Sequence, residues 1–291
     1  MKKVLYTFPL IIIFLSFALF NSGCKKDDEI VTPSVDTNVD KEITSSKNYA
    51  QIVKLFTDAN AFCWAYGTGS SVSTGGCPNL YSDTVSLPHE LAVDYGAFPG
   101  CSSSIDGFKR SGKYTLVYSL NTAKDSISAT ISFNDFRIYK YNTVTDTNII
   151  RITGTLSFSA KKISSTSYRF HGNGDVFLQT LNNGTKELLI SALEGTANLN
   201  SLTSLSDDTY TLSGAGEFTD NGSTFAISTR TGSPLQISAS CRYPLSGITT
   251  FTKSGVSVDC DFSPESGTCD AIVKIVKGTF SKTVDLSNID F

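Results

Sequence analysis

Hydrophobic and polar residues alternate along most of the chain between residues 113 and 276. In Ser126–Phe133, for example, Ile127, Ala129, Ile131 and Phe133 alternate with serine and threonine. A period of two buries one face of an antiparallel strand and leaves the other face in water. The same pattern predicts further strands at Lys113–Leu120, Ile150–Ala160, Ser167–Phe170, Val176–Leu181, Lys186–Leu193, Tyr210–Phe218, Ser223–Thr229, Leu235–Cys241, Gly247–Thr252, Val256–Phe262 and Ala271–Val276.

Glycine-containing turns separate several of these strands. Asn182-Asn183-Gly184, Asp220-Asn221-Gly222 and Lys253-Ser254-Gly255 have the composition of tight β-hairpins. No helical pattern lies between the strands, which argues against a parallel βαβ architecture. We therefore predict an all-β fold of long antiparallel strands, in a sandwich or open-barrel arrangement, with one short N-terminal helix.

The predicted helix covers Lys47–Ala65. Its apolar residues Tyr49, Ile52, Val53 and Phe56 are spaced by three and four, which places them on one helical face. This is the only segment of the chain with a convincing helical period.

The first residues of the chain have the order of a secretion signal. Lys2 and Lys3 precede an apolar run from Val4 to Phe20, and Asn21-Ser22-Gly23-Cys24 follows. The alternative is a retained transmembrane helix, which needs about 20 residues, whereas this run has 17. The segment ending in Cys24 resembles a bacterial lipobox. The resemblance implies a signal peptide at residues 1–23 and lipid attachment at Cys24.

The residues that follow Cys24 are charged and polar as far as Ser46. They cannot bury enough apolar surface to fold, so we predict a flexible tether at 24–46 and a single β domain with its helix at 47–291. Lys26-Asp27-Asp28 resembles the signal that sends lipoproteins of Bacteroidetes-type bacteria to the outer face of the outer membrane. The resemblance implies an exported, surface-exposed protein that meets the membrane through its lipid anchor.

Charge and composition narrow the possible functions. The formal net charge is −3 and the pI is about 5.4, so no basic field is available to hold phosphate backbones, and we expect no nucleic-acid partner. The chain has 40 Ser and 33 Thr but only 2 His and 1 Trp. Few side chains suit metal binding or acid–base chemistry, and we expect no cofactor and no metal.

Several short motifs occur between residues 75 and 286: Ala92-Val93-Asp94-Tyr95-Gly96, Gly100-Cys101, the segment from Asp106 to Tyr114, and Gly267-Thr268-Cys269-Asp270. Together they resemble an uncharacterised family of Bacteroidetes surface lipoproteins. The resemblance implies location and fold, and it carries no activity.

Asp83-Thr84-Val85 resembles the O-glycosylation site of these bacteria. The resemblance implies a modification of Thr84.

The two histidines offer little support for catalysis. His89-Glu90 begins like a zinc-protease motif, but Val93 stands where the second histidine is needed. His171 lies in the predicted turn His171-Gly172-Asn173-Gly174. A Ser-His-Asp site that uses His171 stays open, although no nucleophile-elbow motif supports it.

Aspartates are the remaining candidates for chemistry. Two carboxylates could carry out glycoside hydrolysis, and turn aspartates could also hold calcium. The structural alternative is that these side chains cap turns. The candidates are Asp94, Asp259, Asp261 and Asp270.

The cysteines predict three disulfides. With Cys24 committed to lipid, six of the seven cysteines remain in an exported chain. A tight turn at Ser254-Gly255 would pair Cys241 with residue 268, beside Cys269. Cys77 and Cys101 flank the strand around Val93. We therefore predict the bridges Cys241–Cys269, Cys77–Cys101 and, from the two cysteines left, Cys63–Cys260.

Three functions are compatible with the sequence. The first is a non-catalytic binding or adhesion module for a glycan or a surface protein. The second is a carbohydrate hydrolase with paired carboxylates, and the third is a structural component of the envelope. The scarcity of histidine favours the first function, a binding module without enzymatic activity.

Overall fold

A computed structural model describes residues 37–83, 85–103, 106, 108–139, 149–180, 184–262 and 268–288. From Asn38 onward the chain forms one compact unit. Residues 1–23, Cys24, the Lys26-Asp27-Asp28 motif and Thr84 lie outside the described residues, so the signal peptide, the lipid anchor, the surface signal and the modification predicted for them stay predictions.

One long helix and fifteen strands make up the described chain. The helix is α1, Thr37–Gly67, and a short 3-10 helix covers Leu286–Asn288. The strands are β1 Asn79–Asp83, β2 His89–Asp94, β3 Cys101–Ser102, β4 Lys109–Leu120, β5 Ser126–Tyr139, β6 Ile149–Lys162, β7 Ser167–Thr180, β8 Gly184–Asn198, β9 Thr209–Asp220, β10 Ser223–Thr229, β11 Leu235–Ser238, β12 Ile248–Lys253, β13 Val256–Asp261, β14 Ile272–Lys277 and β15 Phe280–Asp285.

All the strands of the described chain belong to one antiparallel sheet. Their order is β1-β2-β4-β5-β6-β7-β8-β9-β10-β12-β13-β14-β15, while β3 pairs with β4 and β11 pairs with β9. Neighbours in space are therefore mostly neighbours in sequence, joined by hairpins. The predicted fold class is confirmed, and the strands form a single open sheet instead of the two packed sheets of a sandwich.

The predicted hairpin turns set the register of the sheet. Asn221 and Gly222 have φ values of 48° and 74°, and Ser254 and Gly255 have 50° and 80°. Positive φ at both central residues is the geometry of the type I′ turn, whose twist matches that of the strands. The pairing of Lys253 with Val256 follows directly.

The sheet surrounds α1. Phe56 lies 5.2 Å from Phe158 on β6 and 5.3 Å from Phe170 on β7, measured between ring centroids. Tyr210 on β9 donates a hydrogen bond of 3.0 Å to the carbonyl of Thr57. Nearly every side chain of α1 after Thr44 is buried, polar ones included. A helix on the surface of a protein keeps a wet face, and α1 has none over this length.

The helix differs from its prediction in length and start. It covers 31 residues and begins at Thr37, ten residues before the predicted Lys47, so the last part of the predicted tether is helical. Composition led to the wrong boundary, because polar residues usually stay in water, whereas Glu42, Ser45 and Ser46 are enclosed by the sheet.

Two of the three predicted disulfides are confirmed. Cys77 is bonded to Cys101, and Cys241 is bonded to Cys269. The route to the second bridge differs from the one predicted, since β12 begins only at Ile248 and β11 pairs with β9. Cys241 therefore reaches Cys269 from the turn after β11.

The predicted bridge between Cys63 and Cys260 is wrong, because both cysteines are free and buried. Cys260 on β13 faces Ser46 on α1, and Cys63 lies 17 residues further along the same helix. At 1.5 Å per residue this is about 26 Å. A disulfide needs Cα atoms within about 7 Å of each other.

These two thiols are expected to be inert until the chain unfolds. Both side chains are fully buried, and burial raises the pKa of Cys260 to about 12, so almost no thiolate is present at neutral pH. In the Cys24→Ser chain, iodoacetamide should add no label under native conditions and two labels in denaturant, as read by mass spectrometry. Rapid labelling of the native chain, or a cross-linked peptide containing Cys63 and Cys260, would contradict the structure.

Candidate functional site

A groove crosses the outer face of the sheet, on the side opposite α1. It consists of two adjoining depressions of about 720 and 540 Å³. Both are lined by Ser128, Ser159, His171 and Glu194, so they form one continuous surface from β4 to β9. We call this surface the outer groove.

The register of the strands builds the centre of the outer groove. Ser128, Ser159, His171, Glu194 and Ser213 stand directly opposite one another on β5, β6, β7, β8 and β9. We call them the central row. Because side chains alternate along a strand, all five point away from the core. Four strand spacings of about 4.8 Å give the row a length of about 19 Å.

Two bulges shape one side of the outer groove. In the β7–β8 pair the register shifts between Gly172 and Gly174. In the β8–β9 pair it shifts between Ile190 and Ala192. A bulge bends its strand and increases the local twist. The residues at these bulges, Asn173, Ser191 and Ala192, line the smaller depression, so the concavity lies where the sheet bends.

His171 lies inside strand β7, which corrects the turn predicted at His171-Gly172-Asn173-Gly174. The two glycines and the asparagine belong to the bulge. His171 Nδ1 is 3.1 Å from Ser159 Oγ, so the structure brings a serine and the histidine together. On the other strand next to His171 stands Glu194.

Acyl transfer needs more than this serine and histidine. A serine nucleophile requires backbone or side-chain donors that stabilise the oxyanion. Ser159 is in the middle of β6, which is paired on both sides, with β5 and β7. Its backbone N–H and C=O groups are therefore used by the sheet. The arrangement is better suited to hydrogen bonding than to nucleophilic attack.

Glycoside hydrolysis is not favoured in the outer groove either. Glu194 is the one carboxylate among the described residues that line it, whereas the reaction uses a pair. The carboxylate of Glu194 and the serine hydroxyl groups of the central row can still bind a ligand.

The four predicted aspartates lie outside the outer groove. Asp94 accepts a hydrogen bond of 2.7 Å from the amide of Gly96, and Asp270 accepts one of 2.9 Å from Ile272. Asp259 pairs with Arg230 at 2.9 Å. In the part of the chain that the structure describes, no three metal-ligating side chains cluster. Asp94 and Asp270 thus follow the turn-capping alternative, and Asp261, two residues after Asp259 on β13, joins no metal-ligating cluster of the described residues.

Beneath the sheet, four charged side chains form a buried cluster. Lys54 on α1 lies 2.5 Å from Asp58 and 3.9 Å from Asp106. Arg110 on β4 binds both carboxylate oxygens of Asp106, at 3.0 and 2.6 Å. Burial opposes ionisation of Asp106, but Arg110 and Lys54 outweigh it and hold the pKa of this carboxyl below its usual value. The cluster fixes the helix to the sheet.

Asp208 is a second unusual carboxyl of the interior. It is 1% exposed, and the backbone amide of Asn200 and the charge of Lys54 favour its ionised form. Burial, together with the neighbouring charge of Asp207, raises the pKa of Asp208 to about 8. The side chain is therefore mostly protonated at neutral pH.

The sequence pattern placed only part of the outer groove on the right face and did not group its residues. The alternation in β5 and β6 already put Ser128 and Ser159 opposite the core. Glu194 was missed because it lies beyond the predicted end of its strand at Leu193, whereas β8 continues to Asn198. Extending the predicted hairpin registers across β5 to β9 would have been the available signal.

Comparison with known protein families, with characterised proteins and with solved structures gives no match to this chain. Among the described residues, no helix has the length and apolarity needed to cross a membrane.

Proposed function

We propose that this protein is an exported, lipid-anchored surface protein that binds a glycan in its outer groove without catalysis. The observation that carries the proposal is the central row, a line of hydroxyl, imidazole and carboxylate groups on five paired strands. Serine and threonine hydroxyls both donate and accept hydrogen bonds, which matches the chemistry of sugar hydroxyls. Their position on strands holds them in a fixed arrangement.

Rigidity supports binding over a mobile catalytic arrangement. The β6–β7 and β7–β8 pairs are continuous over almost the full length of their strands, and the opposite face packs on α1 through Phe158 and Phe170. A preorganised surface loses little conformational entropy when a ligand binds. The central row could therefore contact several sugar residues of an extended chain.

The proposed anchor rests on the sequence around Cys24. Acylation of a thiol and of the new amino terminus gives two or more chains, which make membrane attachment stable. We expect Cys24→Ser to move the protein from the membrane fraction to the soluble fraction and to remove the mass of the lipid. Retention of the variant in the membrane at an unchanged mass would contradict the proposed anchor. Protease treatment of intact cells then tests whether the domain faces outward.

The groove itself is tested by blocking its centre. Ser128 is exposed and lines both depressions, so Ser128→Trp should fill the outer groove without entering the core. The detergent-solubilised full chain would be screened on a glycan array, and each sugar bound by the wild type should be lost or strongly weakened in the variant.

The matched control is Ser257→Trp, which puts the same side chain on an exposed strand position of β13, outside the groove. It should bind as the wild type does, with an equal thermal unfolding midpoint. Equal binding by Ser128→Trp and wild type would place the site elsewhere. Absence of glycan binding by the wild type would favour a structural role.

A further inference from the structure

Two cations stand side by side at one end of the outer groove. Lys161 on β6 and Arg169 on β7 are directly opposite in the sheet register, and both are exposed. Directly opposed residues of an antiparallel pair have Cβ atoms about 4.5 to 5.5 Å apart, and like charges there disfavour the pairing. The chain as a whole has a net charge of −3, so this pair does not reflect a generally basic surface.

Neither cation is neutralised by an ion pair of the described residues. Lys161 and Arg169 take part in none of the salt bridges found there. The carboxylate of Asp125 lies near Lys161, but its own hydrogen bonds come from Asn121 and Ser126. The two charged head groups are therefore available to a ligand.

The neighbours of this pair are hydroxyl groups. The register continues from Ser126 through Lys161 and Arg169 to Thr196 and Thr211. All five residues line the larger depression, next to the central row. An anion held by the two cations would thus lie among groups that can bind sugar hydroxyls.

We propose that the glycan bound in the outer groove is acidic, and that Lys161 and Arg169 bind its carboxylate or sulfate groups. This inference rests on the proposed function and adds the ligand class to it. Arginine offers a planar fork of donors that matches a carboxylate or sulfate, and lysine adds a point charge beside it. Glu194 in the central row repels an anion placed further along, which fixes the acidic group at the end where the cations lie.

The test compares acidic with neutral oligosaccharides on the full chain in detergent. Polygalacturonate fragments supply carboxylates, chondroitin sulfate fragments supply sulfates, and cello- and malto-oligosaccharides are the neutral set. Isothermal titration should show binding of an acidic set that weakens as salt is raised from about 0.05 to 0.5 M, because exposed charges are screened. The two acidic arms identify which anionic group is preferred.

The paired variant Lys161→Glu with Arg169→Glu should weaken binding of the acidic oligosaccharide about tenfold or more, the scale expected when two exposed ion pairs are lost. Lys282→Glu changes an exposed lysine of β15 outside the groove and should keep the affinity within about twofold. Both variants should unfold at the temperature of the wild type.

Other results overturn the inference in distinguishable ways. In the first such result, neutral oligosaccharides bind the wild type as tightly as acidic ones do and lose that binding in Ser128→Trp. This result would support the glycan function and remove the acidic preference. Polyphosphate that binds as tightly as the acidic oligosaccharides would show that the site recognises negative charge without recognising a sugar. Absence of binding by every glycan would remove both the ligand class and the proposed function.

Discussion

Replacing Arg110 with methionine is expected to lower the free energy of unfolding by about 3 to 5 kcal/mol. Arg110 is fully buried and forms a two-bonded pair with Asp106. Methionine keeps the apolar packing beside Tyr95 and Phe108, whose rings lie 5.6 Å from the guanidinium. It leaves the carboxylate of Asp106 in the interior with Lys54 at 3.9 Å as its remaining cation and the amide of Phe108 as its remaining hydrogen-bond donor, and a buried charge that has lost its main partner has a cost of this size.

The matched control is Arg137→Met. Arg137 also bonds an aspartate with two nitrogens, but it and Asp135 are 35% and 44% exposed at the side chain. Exposed pairs contribute about 0 to 1 kcal/mol. Urea unfolding followed by the fluorescence of Trp64 gives the change in unfolding free energy for each variant. The m-values of the variants and the wild type must be equal for the comparison to hold. Similar losses in the two variants would show that the buried cluster does not anchor the helix.

A second substitution tests whether the lost stability comes from leaving the buried Asp106 carboxylate without its arginine. If the loss in Arg110→Met comes from the abandoned carboxylate, adding Asp106→Leu should recover part of it, since an apolar replacement of a buried pair is often neutral. A double variant less stable than Arg110→Met would instead indicate that the hydrogen bonds to the Asp106 side chain, such as the one donated by the amide of Phe108 at 3.0 Å, carry the stability.

The strands were predictable because their pattern is local. Alternation of small hydroxyl residues with large apolar ones fixed β5 and β6, and the two-residue turn at Ser254-Gly255 fixed the register of β12 and β13. β7 was predicted as two short strands, because Gly172-Asn173-Gly174 has turn composition. In the structure these residues form a bulge within one strand, and composition alone cannot distinguish a bulge from a turn.

The true start of α1 could not be predicted from the sequence, for a different reason. Glu42, Ser45 and Ser46 are polar residues before the predicted start, and their burial depends on a sheet that surrounds them. No local signal reports that enclosure. The same long-range geometry separates Cys63 from Cys260 along the helix, so counting cysteines gave two bridges correctly and a third that the fold does not allow.

The outer groove depends on register over five strands. Each hairpin register is local, but the central row joins Ser128 to Ser213, 85 residues apart, and every bulge shifts the alignment. Residue types alone therefore gave no reason to place His171 beside Ser159. The chemistry of the groove became visible only when the strands were aligned.

Replacing Asp208 with asparagine is expected to remove a pH dependence of stability. The pKa of Asp208 is raised to about 8 in the folded chain by burial and by Asp207, whereas an unfolded aspartate titrates near 3.9. Between these values the folded state holds a proton that the unfolded state has released. The free energy of unfolding therefore falls as the pH rises from about 4 to about 8.

Asparagine is neutral throughout this range and nearly equal in shape, so Asp208→Asn should gain stability relative to the wild type as the pH rises. We expect the difference to grow by at least about 2 kcal/mol between pH 5 and pH 9, as measured by urea unfolding at each pH. Asp83→Asn is the control, because hydrogen bonds from Val85 and Ser86 lower the pKa of Asp83. Asp83 is then ionised in both states above pH 5, and its variant should differ from the wild type by a constant amount. A constant difference for Asp208→Asn as well would show that Asp208 is already ionised in the folded protein at neutral pH and would contradict the raised pKa.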